Sequence, residues 1–158
     1  MVNNLVESLL PHKDRCFHCV HSGLSHYADY DESVYWINLT SPEGVNDGIF
    51  ELFEVDFMNL LREKLFNSEY VDIPYILVLT SEGNGVIHAF IRCDGLTKSL
   101  VGNIWAKIHQ GYISCTKVGK TEKDCFKLAN YVSRGQKDKF VGFRSNNWYV
   151  VNIDSEYL

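Results

Sequence analysis

A chain of 158 residues, 46% hydrophobic and 13% aromatic, is long enough to bury one substantial core and too apolar to be disordered. No apolar run reaches the roughly 20 residues that a membrane helix needs, so a membrane-spanning helix is excluded and no membrane partner is expected. The net charge of -5 conceals a segregation: residues 1–72 carry 13 acidic and 4 basic side chains, residues 97–144 carry 10 basic and 3 acidic. A basic segment in an acidic chain predicts one electropositive face, and phosphate backbones are the commonest partner of such a face.

The N-terminal stretch MVNNLVESLLPHKDR lacks the basic start and apolar core of an export signal. A cytoplasmic setting is therefore expected, the host cytoplasm for a viral protein, with the five cysteines as free thiols. Residues 1–32 read as an irregular region rich in cysteine and histidine. Within it, CFHCVHSGLSH supplies Cys16, Cys19, His21 and His26, the ligand count of a structural Zn2+ site. The Cys19-to-His21 spacing is shorter than the common finger pattern, and an ordinary loop with free thiols is the alternative.

Further along, SVYWINLTS (Ser33–Ser41) is rich in β-branched and aromatic residues and runs into the turn formers SPEGVNDG, which predicts a strand. Phe50, Phe53, Phe57, Leu60, Leu61 and Leu65 recur at spacings of three and four, predicting an amphipathic helix from about Ile49 to Phe66. IPYILVLTS and GVIHAFIRC are apolar strands joined by Glu82-Gly83-Asn84-Gly85, a hairpin signal. LTKSLVGNIWAKIHQ predicts a helix capped by Thr97, with Leu100, Ile104 and Ile108 on one side. GYISCTKVG predicts a strand, and KTEKDCFKLANYVSRGQ a helix with Phe126, Leu128, Ala129 and Val132 facing the core. KFVGFRS and NWYVVNI predict a final hairpin.

This order predicts an α+β fold: an antiparallel sheet with helices packed on one side, ferredoxin-like. Neither a repeat nor a linker interrupts residues 1–158, so one domain is expected, with residues 33–144 as its core and 145–158 as a C-terminal strand.

Three motifs then fall in a telling order. Trp36-Ile37-Asn38-Leu39-Thr40 ends an early strand, Gly85-Val86-Ile87-His88-Ala89-Phe90 follows a hairpin, and Tyr131-Val132-Ser133-Arg134 lies on a late helix. The set resembles the endonuclease domain of the HUH superfamily, the replication initiators and relaxases of plasmids and viruses. That family places two histidines on its metal strand, both facing the metal because strand side chains alternate. Here the second is Phe90, and arginine replaces the usual lysine after the tyrosine.

The resemblance implies a metal-dependent DNA endonuclease acting in DNA replication, with Mg2+ or Mn2+ held by His88 and Glu82, the acidic residue across the hairpin turn. It implies that Tyr131 attacks the phosphate and that Arg134 clamps it. On the residues alone, His88 is equally a core histidine with a hydrogen-bond partner, Glu82 a solvated turn residue and Tyr131 a packed aromatic. Small nucleases of archaeal viruses resemble a second arrangement, in which metal-activated water attacks instead. In either case Lys117, Lys120, Lys123, Lys127, Lys137, Lys139 and Arg144 are the expected phosphate contacts, and Trp105, Tyr112 and Trp148 the candidates for base stacking, two of the three being expected in the core. A monomer or homodimer is expected. The alternatives are a DNA-binding protein of this fold that has lost catalysis, and a zinc-stabilised adaptor.

Overall fold

The computed structural model describes residues 12–42, 51–68, 70–80, 86–134 and 140–145, the side chains of 12–15, 79, 134 and 140–145 excepted. Its strands are β1 (Val34–Thr40), β2 (Tyr75–Thr80), β3 (Val86–Arg92), β4 (Ile113–Lys117) and β5 (Phe140–Ser145). Its helices are α1 (His12–Tyr27), α2 (Met58–Phe66), α3 (Lys98–Ile108) and α4 (Glu122–Arg134), with a π-helical turn, Phe53–Phe57, leading into α2.

The sheet runs β4-β1-β3-β2-β5, every neighbouring pair antiparallel. Strands β1 to β4 with the crossover helices α2 and α3 make the ferredoxin-like β-α-β-β-α-β unit, and β5 adds one strand beside β2. The fold is α+β, as expected. Register fixes the two faces. Ile37 and Leu39 of β1, Ile87, Ala89 and Ile91 of β3 and Leu77 of β2 point one way and pack with Phe53, Phe57, Met58 and Leu61, and with Val101, Ile104 and Trp105 of α3. Trp36, Ile76, Val78 and Phe90 point the other way, into a second core closed by α1 and α4.

Helices on a single side therefore describe the crossover helices alone. β3 is buried from Ile87 through Ile91, at every consecutive position. A strand with no wet face needs cover on both sides of its sheet, and its continuous apolar run already reads that way. The cover on the second face comes partly from the region expected to be irregular. Cys16, Cys19, Val20, Leu24 and Tyr27 recur at helical spacing and are all buried. The stripe is easily missed because its first two members are cysteines, which here behave as small apolar side chains.

Local signals set the remaining ends. The Thr97 hydroxyl caps α3 by accepting from the Leu100 N–H at 3.1 Å, as predicted. The buried stripe of α4 is Cys125, Ala129 and Val132, whereas Phe126, expected in the core, is exposed and packs edge-on against Phe17. Of the predicted final hairpin, β5 is present and NWYVVNI lies outside the described residues. All five cysteines are free thiols.

At the start of α4, the Thr121 hydroxyl and N–H both donate to Asp124, and the Asp124 N–H donates back to the Thr121 hydroxyl. These bonds, with a smaller pull from Lys127 and Lys123, hold the Asp124 carboxyl below the ordinary carboxylate range. A depressed value in the folded state contributes stability that is present above the unfolded value of about 3.9 and lost as pH falls through the folded one. Thermal melts below about pH 4 should therefore show the wild-type protein losing stability more steeply with acid than Asp124→Asn. Parallel curves would remove Asp124 from the acid response.

Candidate active site

The polar row that interrupts the second core lies on three adjacent strands. Asn38 of β1 sits opposite His88 of β3 on one side and Ser114 of β4 on the other. Strand alternation places all three on the face covered by α4. They line a cavity of about 220 Å³ together with Thr40, Val86, Tyr112, Ile113 and Tyr131. Two motifs far apart in the chain thus meet: the histidine of β3 and the tyrosine of α4.

His88 is 3% exposed. Its ring stacks on the Trp36 indole at 6.1 Å between centroids, and its Nε2 lies 3.4 Å from the Thr80 hydroxyl. The expectation that a histidine in this strand must have a partner is met by threonine and tryptophan. Tyr131 meets the same indole edge-on at 5.3 Å and is 50% exposed. One tryptophan therefore positions both rings. Two residues beyond His88, Phe90 stacks on Trp36 at 6.0 Å and is fully buried. The position where a second histidine would stand belongs to the core.

Asn38 was legible only as part of its motif. Its Nδ2 donates to the Ser114 hydroxyl at 2.9 Å, while its Oδ1 is buried with no hydrogen-bond partner among the described residues. Thr40 is pinned from two directions: its carbonyl accepts from the Trp105 indole N–H at 3.1 Å, and its hydroxyl accepts from the Tyr112 N–H at 2.7 Å. Of the three candidates for base stacking, Trp105 is a core residue on the opposite face, in line with the expectation that two of them are core. Tyr112 remains 85% exposed at the cavity rim.

The basic residues divide. Lys117, Lys123 and Lys127 are exposed. Lys123, Lys127 and Tyr131 follow one another at intervals of four along α4, so a ridge of positive charge leads to the cavity rim. Lys120 differs: it is half-buried and donates to the Tyr30 carbonyl, tying the approach to α4 onto the turn after α1. Glu82, Lys137, Lys139 and Trp148 lie outside the described residues, as do the side chains of Arg134, at the end of α4, and Arg144, in β5.

Among the described residues the four candidate zinc ligands do not gather into a metal-binding group. Cys16 and Cys19 point into the core, His21 stacks on Phe17 at 5.5 Å, and His26 meets the Tyr30 hydroxyl at 3.3 Å. Burial pushes the Cys16 thiol far above its ordinary range. Among the described residues no three histidine, cysteine, aspartate or glutamate side chains gather at a metal-binding distance. None of the described helices is long and apolar enough to cross a membrane.

No family model matches this chain, and no curated protein matches it. Among solved structures it is similar to the hypothetical protein ORF119 from Sulfolobus islandicus rod-shaped virus 1. The two share 18% identity with a TM-score of 0.48, over 73% of this chain and 92% of that one.

The rim depends on one glycine. A Cβ at Gly111 would collide with the Thr40 carbonyl, which belongs to backbone and cannot swing aside. Gly111→Ala should lower stability by at least about 1 kcal/mol in denaturant titration, since the native conformation there does not admit a side chain. An unchanged midpoint would mean that the junction between Thr40 and Tyr112 yields freely.

Proposed function

We propose that this protein is a metal-dependent DNA nuclease whose reaction takes place in the His88–Tyr131 cavity. The observation that carries the reading is the meeting of these two side chains, from β3 and α4, at one partly open cavity reached by the lysine ridge. Phosphodiester cleavage needs a nucleophile, a way to stabilise charge on the phosphate and a proton for the leaving oxygen. Tyr131 is half exposed at the rim, so its hydroxyl is accessible to a strand lying along α4. In this reading its oxygen attacks phosphorus as the phenolic proton leaves. The bond to the 3′-oxygen breaks, that oxygen takes up a proton, and the 5′-phosphate stays on the tyrosine.

In the cavity His88 supplies one imidazole, with side-chain oxygens from Asn38, Thr40 and Ser114 beside it, and a hard divalent ion would need a carboxylate that the described lining does not hold. Glu82 remains the expected carboxylate. When bound, Mg2+ or Mn2+ would supply polarisation of a phosphate oxygen. Trp36 keeps the imidazole and the phenol in fixed relation, and Lys123 and Lys127 attract the polyanion.

Tyr131→Phe keeps the ring against Trp36 and removes the attacking oxygen. Cleavage of end-labelled DNA in Mn2+ and the covalent protein–DNA product should disappear together. A variant that still cuts, leaving free 5′-phosphate ends, would transfer the attack to water.

Lys123→Glu with Lys127→Glu should weaken DNA binding and reduce the slope of log affinity against log salt by about two, one per phosphate contact. Lys120 is left intact because it holds a backbone carbonyl. An unaltered slope would place the DNA path away from α4.

A further inference from the structure

We infer that the cavity beside Tyr131 is a base-reading pocket: it takes one unpaired nucleobase, leaves the phosphate at its mouth, and selects the base through Ser114. This rests on the nucleic-acid part of the reading above and names what the cavity recognises. Among the described residues its lining holds no carboxylate, lysine or arginine. Such a wall offers a cation no charge and a phosphate no counter-charge. A planar, uncharged ring suits it better. Val86 and Ile113 supply apolar surface, and Tyr112 and Tyr131 stand at the rim, 85% and 50% exposed. A tyrosine ring left in water is available for stacking, which every base accepts through its π-face. The volume of about 220 Å³ lies below the roughly 300–1,000 Å³ of pockets for drug-sized ligands, so one heterocycle is the size of occupant it admits.

Charge names the source of that ring. Lys123 and Lys127 are exposed two turns and one turn before Tyr131 on α4, so a phosphodiester chain drawn to this helix passes the mouth of the cavity. A base turned inward from it leaves its phosphate beside the Tyr131 hydroxyl. Inside, most polar groups are already engaged. The Thr40 hydroxyl accepts from the Tyr112 N–H at 2.7 Å, and the buried His88 has its Nε2 beside the Thr80 hydroxyl. Ser114 differs. Half-buried, its oxygen accepts from Asn38 Nδ2 at 2.9 Å, which holds the hydroxyl in place and leaves its own O–H to donate, with no acceptor for it among the described residues. One fixed donor in the wall discriminates between bases by whether an acceptor meets it, because a polar group left unpaired on binding costs affinity.

The test is fluorescence anisotropy of short end-labelled homo-oligonucleotides of each base on the full chain, without metal and at constant salt. An abasic phosphodiester chain of the same length keeps the charge and lacks the rings. Tyr112→Ala should weaken binding of the base-bearing chains at least about fivefold, the lower end of what one stacked base contributes, and leave the abasic chain unchanged. Tyr112→Phe keeps the ring and should bind both as the wild type does. Ser114→Ala should bring the affinities for the four bases closer together without moving the abasic chain, with folding checked by thermal melts. Equal losses on base-bearing and abasic chains would overturn the pocket, and affinity ratios that survive Ser114→Ala would overturn Ser114 as the selector. Binding without metal is independent of cleavage, so the two readings fail separately. DNA cut with no dependence on Tyr112 would overturn the pocket and leave the nuclease standing. Base-dependent binding by a protein that never cuts would uphold the pocket and overturn the nuclease.

Discussion

The structure depends on keeping β3 dry on both faces. An antiparallel sheet can leave one side in water, but a strand buried at five consecutive positions cannot. Two of the described helices on each face meet that requirement. α2 and α3 arise as crossovers within the ferredoxin-like unit, while α1 and α4 are recruited from outside it. The same requirement makes His88 conspicuous. A single polar side chain in a strand with no wet face must find its partners inside, and it finds the Thr80 hydroxyl and the Trp36 ring.

The cavity forms where this dryness fails. On the α1–α4 face the apolar packing of Val34, Ile76 and Phe90 gives way to Asn38, Ser114 and Thr40 towards the end of β1. That end is held by backbone and buried groups: the Trp105 indole on the Thr40 carbonyl, the Tyr112 N–H on its hydroxyl and Gly111 in close approach. Polar groups on rigid strands, rather than on a loop, keep their relative positions without help from a ligand. Trp36 extends that rigidity to the helix, because Tyr131 rests on it as His88 does.

The fold was legible where periodicity and turn chemistry agreed. Apolar runs on either side of Glu82-Gly83-Asn84-Gly85 gave the β2–β3 pairing, and Thr97 marked the start of α3 where its hydroxyl accepts the Leu100 N–H. α1 is hidden in the sequence because its cysteines and histidines carry a ligand-like spacing that masks their helical one. Burial shows the cysteines serving as apolar residues, and the thiol of Cys93, pushed up to about 12 chiefly by the same cause, behaves alike. Of the candidate site, His88 and Tyr131 could be named from order along the chain, but not their convergence, which depends on how α4 lies across the sheet. Asn38 and Ser114 carry no signal of their own. Two neutral polar residues on separate strands become a pair only through the register of β1 with β4.

Layering sets charges of the two halves of the chain on opposite sides of the sheet only in part, since α2 and α3 also carry exposed Lys64, Lys98 and Lys107. Glu51, Asp56 and Glu63 are exposed on and before α2, which covers one face of the sheet. Lys123 and Lys127 are exposed on α4, which covers the other. The sheet between them is several ångströms of low-dielectric core, and surface charges are screened beyond about 8 Å at physiological salt. A polyanion near α4 would therefore meet Lys123 and Lys127 with little influence from the charges behind the sheet, although the chain as a whole is negative.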